Sequence, residues 1–189
     1  MIRLRAFEPE DATAVASWVS DIEALTMWSG NSGFSWPFDA GQLMAFHAES
    51  ERRTLVAVEA DGTPVGHLSL KPDVPGWSAR LGLVMVSPAR RGRGYGATMI
   101  RDALAVAFDD VRVHRVDLGV YTRNAGAIAL YERLGFQREG VQREVTRVNG
   151  QWWSALTMSM LDHEWRTNTT LGRSALDRAT GAAPSSGTG

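Results

Sequence analysis

The sequence predicts a mixed α/β fold of the α+β kind, in which strands and helices build one domain. Three observations favour it. Runs with alternating apolar residues are interspersed with stretches of helical periodicity, and the domain closes on a strong hairpin signal. The 189 residues allow one sizeable core but not two ordinary domains. We therefore expect a folded domain over 1–166 and a disordered tail over 167–189, which is rich in Thr, Ser, Gly and Ala.

In the N-terminal half the predicted order is strand, helix, loop, helix, strand and strand, over 2–6, 9–22, 31–38, 39–50, 54–60 and 64–70. Pro9 and the two acids after it are typical of a helix start, because proline fits the first turn and acidic side chains favour the positive end of the helix dipole. Asp39 can cap the second helix. Asp61-Gly62 predicts the turn between the last two strands.

In the C-terminal half the predicted order is strand, helix, strand, helix and hairpin, over 79–86, 94–108, 115–121, 124–134, 136–148 and 151–160. Ser87-Pro88 ends the first of these strands, and Gly135 is typical of the residue that follows a helix. Asn149-Gly150 predicts a two-residue hairpin turn. Trp152 and Trp153 must point to opposite faces of their strand, so we expect at least one of them in the core.

Composition excludes several kinds of site and partner. The balance of 20 basic and 21 acidic residues argues against general nucleic-acid binding. The chain has no cysteine, which excludes disulfides, thiolate zinc sites and a cysteine nucleophile. No apolar run approaches the roughly 18 residues of a membrane span, and the N-terminus lacks the apolar stretch of a signal peptide. We expect a cytoplasmic protein with no membrane partner and no metal.

The segment between the strand 79–86 and the helix 94–108 carries the strongest chemical signal. It reads Arg-Arg-Gly-Arg-Gly-Tyr-Gly over residues 90–96. Closely spaced glycines let backbone N–H groups converge on one point, and a helix N-terminus behind them adds partial positive charge. Arginines at the rim add full charges and bidentate donors. This pattern predicts a site for an anion, above all a phosphate.

Other interpretations of this segment fit less well. It is not a Walker loop, because no Gly-Lys-Ser/Thr follows. Gly92-x-Gly94-x-x-Ala97 fits a degenerate dinucleotide fingerprint, but the glycines follow the strand too late, and Asp117 does not end its strand as a ribose-binding acid would. An RNA-binding segment would need repeats or an aromatic platform that the sequence lacks. An Arg/Gly-rich surface turn is the remaining alternative.

Two motifs in order resemble the GNAT superfamily of acetyl-CoA-dependent N-acetyltransferases. Arg91-x-x-Gly94-x-Gly96 matches the family's Arg/Gln-x-x-Gly-x-Gly/Ala signature between a strand and a helix. The segment 124–136, which begins with Asn124 and includes Leu130-Tyr131 and Gly135-Phe136, is similar to its second motif. The resemblance covers about 1–163, and the opening strand and residues 65–68 further resemble the branch of ribosomal-protein N-terminal and spermidine acetyltransferases.

This resemblance implies a fold, a co-substrate and site residues. The fold would be a mixed, mostly antiparallel sheet flanked by helices and splayed near acetyl-CoA. Tyr131 would lie near the sulfur and donate a proton to the leaving thiolate. The residues implied to bind acetyl-CoA are Val84, Met85, Val86, Arg91, Gly92, Arg93, Gly94, Tyr95, Gly96, Ala97 and Asn124. Backbone N–H groups of the strand residues Val84 to Val86 would stabilise the developing oxyanion.

A general base is harder to assign. Some family members carry an acid five positions before the motif Asn, where this chain has Gly119. The remaining candidates, each with a structural alternative, are Glu23, Glu59, His67 and Asp117. For the acceptor, the resemblance points to the early loop and its surroundings, with Glu23, Trp28 and Trp36 as candidate contacts. The aromatic residues Trp28, Phe34, Trp36 and Phe38 could line an acceptor pocket or simply pack the loop onto the sheet.

The sequence therefore predicts an N-acetyltransferase that moves an acetyl group to a primary amine by direct transfer in a ternary complex. A non-catalytic acyl-CoA-binding module on the same fold is the alternative. The acceptor is a small-molecule amine or a protein or peptide amine, and a homodimer is a further expectation. Residues 1–60 carry a charge of −5 and residues 61–166 carry +3. This split suggests that an anionic cofactor binds the second segment and a cationic amine the first.

Overall fold

A computed structural model describes residues 1–49 and 51–168. The strands are β1 (Arg3–Ala6), β2 (Arg53–Val58), β3 (Pro64–Val74), β4 (Ser78–Val86), β5 (Arg115–Tyr121), β6 (Gln137–Val148) and β7 (Gln151–Leu161). The α-helices are α1 (Asp11–Ser17), α2 (Ile22–Ser29), α3 (Ala40–Glu49), α4 (Tyr95–Ala105) and α5 (Ala125–Leu134). Residues 162–168 are also helical.

The seven strands form one sheet in the order β1-β2-β3-β4-β5-β7-β6. Only β4 and β5 run parallel; the other neighbours are antiparallel. The parallel pairing is short, because it joins only residues 78–80 of β4 to residues 115–117 of β5. Beyond Arg80 and Asp117 the two strands separate. The mixed, splayed sheet predicted from the resemblance is thus confirmed.

The main core lies between the sheet and helices α4 and α5. Ile100, Leu104 and Phe108 pack there against strand residues such as Val116 and Met158. A second cluster joins α1, α2 and α3 around Val15, Leu25 and Leu43. Apolar residues at helical spacing thus bury one face of each helix against one face of the sheet, as the periodicity predicts.

The first predicted helix is two helices. The expected continuous helix over 9–22 ends at Ser17, and α2 begins after Asp21. The Asp21 side chain accepts a hydrogen bond from the Ala24 N–H at 2.7 Å, so it caps a new helix instead of continuing the old one. The apolar spacing runs through both helices because both face the same cluster.

The other predicted elements agree with the structure to within a few residues. Helix α4 changes into a π-helical turn over Val106–Asp110, and β6 carries a bulge around Glu144, whose φ is +53°. Trp153 is buried and Trp152 is exposed, as expected for neighbours on a strand. Of the predicted tail 167–189, residues 167 and 168 are described and helical, and 169–189 lie outside the described residues, so the predicted domain boundary stays a prediction. None of the described helices combines the length and apolar character needed to cross a membrane.

Candidate active site

The separation of β4 from β5 opens two cavities that meet. The larger, of about 670 Å³, lies beside the loop 90–94 and the starts of α4 and α5, and we call it the loop cleft. The smaller, of about 360 Å³, lies among the end of α2, β4, β5 and β6, and we call it the strand cavity. Six residues line both: Met27, Trp28, Val84, Asn124, Ala127 and Tyr131. A group bound in one cavity can therefore reach a group bound in the other.

The loop of the cleft depends on glycine at two positions. Gly92 and Gly94 have φ of +76° and +79°, in the left-handed region that other residues adopt only with strain. Gly94 is also the residue immediately before α4. Nothing in the described chain lies within 4 Å of where a Cβ on either glycine would stand, so that space is free for a ligand. The loop thus turns its backbone toward the cleft at the positive end of α4, an arrangement that suits a pyrophosphate.

The same loop is fixed from the side by Glu59. Its carboxylate accepts hydrogen bonds from Arg90 Nε at 3.2 Å and from the Tyr95 hydroxyl at 2.8 Å. The bond from Tyr95 and the charge of Arg90 lower the pKa of Glu59. Glu59 is therefore an ionised anchor for the loop.

The predicted acetyl-CoA residues are brought together at the cleft, with one exception. All of them line it except Arg93, which is exposed to solvent. The four charged side chains that line the cleft are all arginines, namely Arg90, Arg91, Arg123 and Arg133. The last two are not among the site residues predicted from the sequence. Arg123 precedes Asn124, and Arg133 lies in the last turn of α5, so their place in and beside the second motif is the available signal.

Tyr131 and Asn124 stand where the cavities meet. The Tyr131 side chain is 7% exposed and packs edge-on against Phe136, with ring centroids 5.6 Å apart. Burial raises the pKa of the Tyr131 hydroxyl above its usual value of 10, so the phenol is protonated at neutral pH. Its hydroxyl bonds to no other residue in the described ranges. Asn124 caps α5 by accepting a hydrogen bond from the Ala127 N–H at 3.2 Å.

Strand β4 is irregular at the same place. Leu83 has φ of +51°, and the pairing with β3 shifts there, from Ser69 opposite Gly82 to His67 opposite Met85. On the other side, residues 81–86 of β4 have no paired strand among the described residues. Backbone groups on that edge of Val84 to Val86 are therefore available to a ligand.

A chain of buried side chains holds this bulge. His67 Nδ1 lies 3.1 Å from the Leu83 carbonyl, which can only accept, so this nitrogen carries the proton. His67 Nε2 then accepts from His47 Nε2 at 3.3 Å, and His47 Nδ1 accepts from the Thr54 hydroxyl at 2.8 Å. Burial, above all, lowers the pKa of both histidines to about 4. Both histidines are therefore neutral at pH 7, and each ring has one N–H donor and one acceptor nitrogen. The hydrogen bonds then run in a single direction, from Thr54 through His47 and His67 to the Leu83 carbonyl.

The strand cavity has a different lining. Its charged side chains, among the residues described, are Arg52 and Arg80. Arg80 donates to Asp117 at 2.6 Å. Arg80 Nη2 also lies 2.9 Å from where a Cβ on Gly119 would stand, so this guanidinium occupies the space that a side chain at position 119 would take. Hydroxyl and amide groups of residues such as Ser29, Asn31, Gln142 and Thr146 complete the polar wall.

None of the four candidate bases lines either cavity. Glu59 and His67 hold the loop and the bulge, as described above. Asp117 is bound to Arg80, and Glu23 accepts from Asn149 Nδ2 at 3.0 Å. Within the described ranges, no Asp, Glu or His side chain lines the loop cleft or the strand cavity, and no three such residues are grouped as metal ligands.

The early aromatic residues divide between the two alternatives. Trp28 lines both cavities, while its ring stacks on Phe34 at 5.8 Å and meets Phe38 at 5.6 Å. Phe34 and Phe38 therefore pack behind Trp28 and line neither cavity. Trp36 is 43% exposed and also lines neither. Of the predicted acceptor contacts Glu23, Trp28 and Trp36, only Trp28 reaches the site.

Comparison with known proteins identifies the same region. The sequence model described as the acetyltransferase (GNAT) family matches residues 20–136, which include the loop cleft and Tyr131. Spermidine N(1)-acetyltransferase of Escherichia coli is 26% identical over 170 residues, 87% of this chain and 88% of that protein. N-alpha-acetyltransferase RimI of Mycobacterium tuberculosis is 36% identical over 110 residues, 56% of this chain and 67% of its own.

A solved structure has the same fold over nearly its whole length. Spermidine N-acetyltransferase from Vibrio cholerae, in complex with CoA and spermine, superposes with a TM-score of 0.75 at 25% identity. The match covers 87% of this chain and 97% of that one. The fold and the two motifs therefore agree with the resemblance found in the sequence.

Proposed function

The chain belongs to the acetyltransferase (GNAT) family, and from this premise we propose that it transfers the acetyl group of acetyl-CoA to a primary amine by direct attack in a ternary complex. Acetyl-CoA is the co-substrate. The relatives are named for N-acetyl transfer, to spermidine in one case and as an N-alpha-acetyltransferase in the other. The observation that carries the direct route is that the loop cleft and the strand cavity share Val84, Asn124 and Tyr131.

The loop cleft receives the CoA part of the co-substrate. Backbone N–H groups of residues 91–96 bind the pyrophosphate, and Arg91, Arg123 and Arg133, the cleft arginines that no described carboxylate pairs with, supply positive charge around it. The open edge of β4 at Val84 to Val86 receives the pantetheine and the acetyl carbonyl. Because the bulge at Leu83 is held by His67, the N–H groups of this edge are fixed before the substrate arrives, as electrostatic stabilisation of an oxyanion requires.

The reaction balances within these two cavities. The neutral amine nitrogen forms a bond to the acetyl carbon, the carbon–sulfur bond breaks, and one amine proton is lost as the thiolate gains one. Tyr131 gives its phenolic proton to the thiolate and regains one from the amine side. Its raised pKa keeps the hydroxyl protonated before the carbon–sulfur bond breaks. Its position between the cavities puts the hydroxyl near both the sulfur and the amine.

Deprotonation of the amine is left to solvent in this proposal. Since no described carboxylate or imidazole lines either cavity, the amine enters as the free base or loses its proton to water. The turnover rate at low acceptor concentration should then rise with pH toward the pKa of the acceptor amine itself. An acceptor with a less basic amine depends less on proton removal at the site, because a larger fraction of it is neutral at pH 7.

Release of CoA thiol, followed with acetyl-CoA and a panel of amines, tests this proposal. We expect amine-dependent thiol release and an acetylated product of the added mass. The rival, a non-catalytic acyl-CoA-binding module, predicts that calorimetry detects acetyl-CoA binding while no amine gives thiol release. A chain that neither binds acetyl-CoA nor releases thiol would contradict both.

Two further expectations from the sequence, a cytoplasmic location and a homodimer, stay predictions. Light scattering of the purified full chain gives its mass in solution and decides the second. Fractionation of cells that express the chain decides the first.

A further inference from the structure

The charge of the strand cavity narrows the class of acceptor, on the premise that the proposed function is right. This cavity meets the loop cleft at Tyr131, so it is where an acceptor would bind. Its two described charged side chains are Arg52 and Arg80, and no described acid joins them in its lining. An acceptor with several positive charges would meet the guanidinium of Arg52 there, which has no carboxylate partner among the described residues. An acceptor with a negative group would meet an attractive site.

Arg80 is already neutralised, because it pairs with Asp117 at 2.6 Å. Arg52 is different. It is half-buried just before β2, its guanidinium lies 5.4 Å from the centroid of the Phe46 ring, and no described carboxylate is within ion-pair distance of it. Burial lowers the pKa of the Arg52 guanidinium, and Asp73 opposes this shift only at longer range. A half-buried cation that has no carboxylate within ion-pair distance can gain free energy by binding an anion.

The place of Arg52 relative to the reacting groups fixes the geometry of such an acceptor. Arg52 Nη1 lies 3.8 Å from where a Cβ on Gly82 would stand. Gly82 precedes Val84 by two residues on β4, roughly 7 Å along a strand that rises about 3.3 Å per residue. The anionic group and the amine of the acceptor would therefore be separated by only a few bonds. Hydroxyl and amide side chains between them can bind further polar atoms.

The acids of the N-terminal segment do not provide a cation site here. Asp11 pairs with Arg5, Asp21 caps α2, and Glu59 binds Arg90 and Tyr95. None of the described acids of residues 1–60 lines the strand cavity. The net charge of that segment therefore does not describe the charge at the site.

We propose that the acceptor is a small amino acid-like compound, in which the primary amine attacks acetyl-CoA beside Tyr131 and a carboxylate binds the guanidinium of Arg52. The guanidinium fork suits a carboxylate, since two N–H groups can donate to its two oxygens. Leu83, Val145 and Ala155 give the cavity apolar wall for a side chain of moderate size. Polyamines should be poor acceptors.

Matched pairs of acceptors test this on the wild-type chain. L-methionine, L-leucine and L-phenylalanine are each compared with the corresponding amino acid amide, which keeps the shape and removes the negative charge. Spermidine is the cationic reference. We expect kcat/KM, divided by the neutral fraction of the amine at the assay pH, to be about ten-fold or more higher for each amino acid than for its amide, as for loss of one charge-assisted hydrogen bond. The amide amine is the less basic one, so a slower amide cannot be explained by protonation.

Two adjacent arginines provide a matched pair of variants. Arg52→Gln should raise the KM of the amino acids by about ten-fold or more and leave the KM of acetyl-CoA and the rates with amides unchanged. Arg53→Gln removes the same charge from an exposed side chain that lines neither cavity, and it should change none of these values. If Arg52→Gln does not fold, as judged by circular dichroism, the wild-type comparison alone decides.

The possible results separate this inference from the proposed function. Preference for amino acids over amides, lost in Arg52→Gln and kept in Arg53→Gln, supports the inference. Amides or spermidine with kcat/KM values, each divided by the neutral fraction of the amine at the assay pH, equal to or above those of the amino acids overturn it, while the acetyltransferase function stands. Acetyl-CoA binding without thiol release for any compound overturns the function and the inference with it.

Discussion

The loop cleft and the strand cavity are both lined by arginine, yet they are built in different ways. The cleft is made largely from three continuous segments, 84–100, 123–127 and 130–133, and we assign the CoA pyrophosphate to the backbone N–H groups of its loop. The strand cavity draws side chains from the end of α2, from the residue before β2 and from β4, β5 and β6. In the proposed function, backbone geometry thus binds the co-substrate, and side chains from scattered segments select the acceptor. The variants below test that division.

Tyr131→Phe should have the largest effect, because Tyr131 belongs to both cavities. The ring still packs on Phe136, but the proton donor is lost. We expect kcat to fall by roughly 100-fold or more, while the dissociation constant of acetyl-CoA changes by less than about two-fold. Stopped-assay thiol release and calorimetry measure the two quantities. Equal turnover by the variant would remove Tyr131 from the acid role.

Gly94→Ala should damage the cleft alone. A Cβ at φ of +79° strains the loop by about 1–2 kcal/mol and enters the space where we place the pyrophosphate, so acetyl-CoA affinity should fall about ten-fold. The KM of the amine should stay within two-fold. Calorimetry with CoA provides the measurement.

Gly62→Ala is the matched control for that change. Gly62 has φ of +88° in the turn between β2 and β3, with nothing within 4 Å of a built Cβ. It should lose a similar amount of stability and keep its affinity for CoA. A comparable loss of CoA binding in both variants would mean that Gly94 acts only through stability.

The histidine chain beneath β4 should make stability fall in mild acid. His47 and His67 have pKa values of about 4 in the folded chain and about 6.5 when unfolded. Between these values the unfolded state binds more protons, so the free energy of unfolding decreases as pH falls from 6.5 to 4. Each histidine contributes a slope of at most about 1.4 kcal/mol per pH unit. Urea unfolding followed by tryptophan fluorescence measures it.

Two substitutions locate that pH dependence. His47→Gln should make the curve of unfolding free energy flatter in this window. His163→Gln changes an exposed histidine that takes no part in the buried His47–His67 hydrogen bonds, and it should leave the curve unchanged. An unchanged curve for His47→Gln would show that the buried pair does not control acid stability.

Asn124→Ser should give the smallest effect, and it distinguishes the role of Asn124 as the cap of α5 from its proposed contact with acetyl-CoA. Serine can replace asparagine as the cap of α5, so the unfolding temperature should change little. Serine cannot replace the amide group that faces both cavities. A rise of a few-fold in the KM of acetyl-CoA with unchanged stability would assign a substrate contact, and unchanged kinetics would leave only the cap.

The motifs predicted the cleft well because their chemistry is local. The glycines of residues 92–96, the cap at Asn124 and the end of α5 at Gly135 depend on neighbours a few residues away, and the structure has each of them in its expected conformation. The break between α1 and α2 was missed although Asp21 is a local signal, since the apolar spacing runs across it. Helical periodicity reports which face is buried, not whether the backbone is continuous.

The sequence by itself determined the fold class, the family and the backbone of the loop cleft, because spacing and turn chemistry within short segments fix them. Tertiary structure decided the rest. His67, a candidate base, donates to the Leu83 carbonyl. Glu23 accepts from Asn149, and Asp117 accepts from Arg80. Arg52 lies beside Gly82. These contacts join residues far apart in the chain through the pairing and splaying of strands. The local charge that an acceptor meets depends on that pairing, and no count of charges along the sequence contains it.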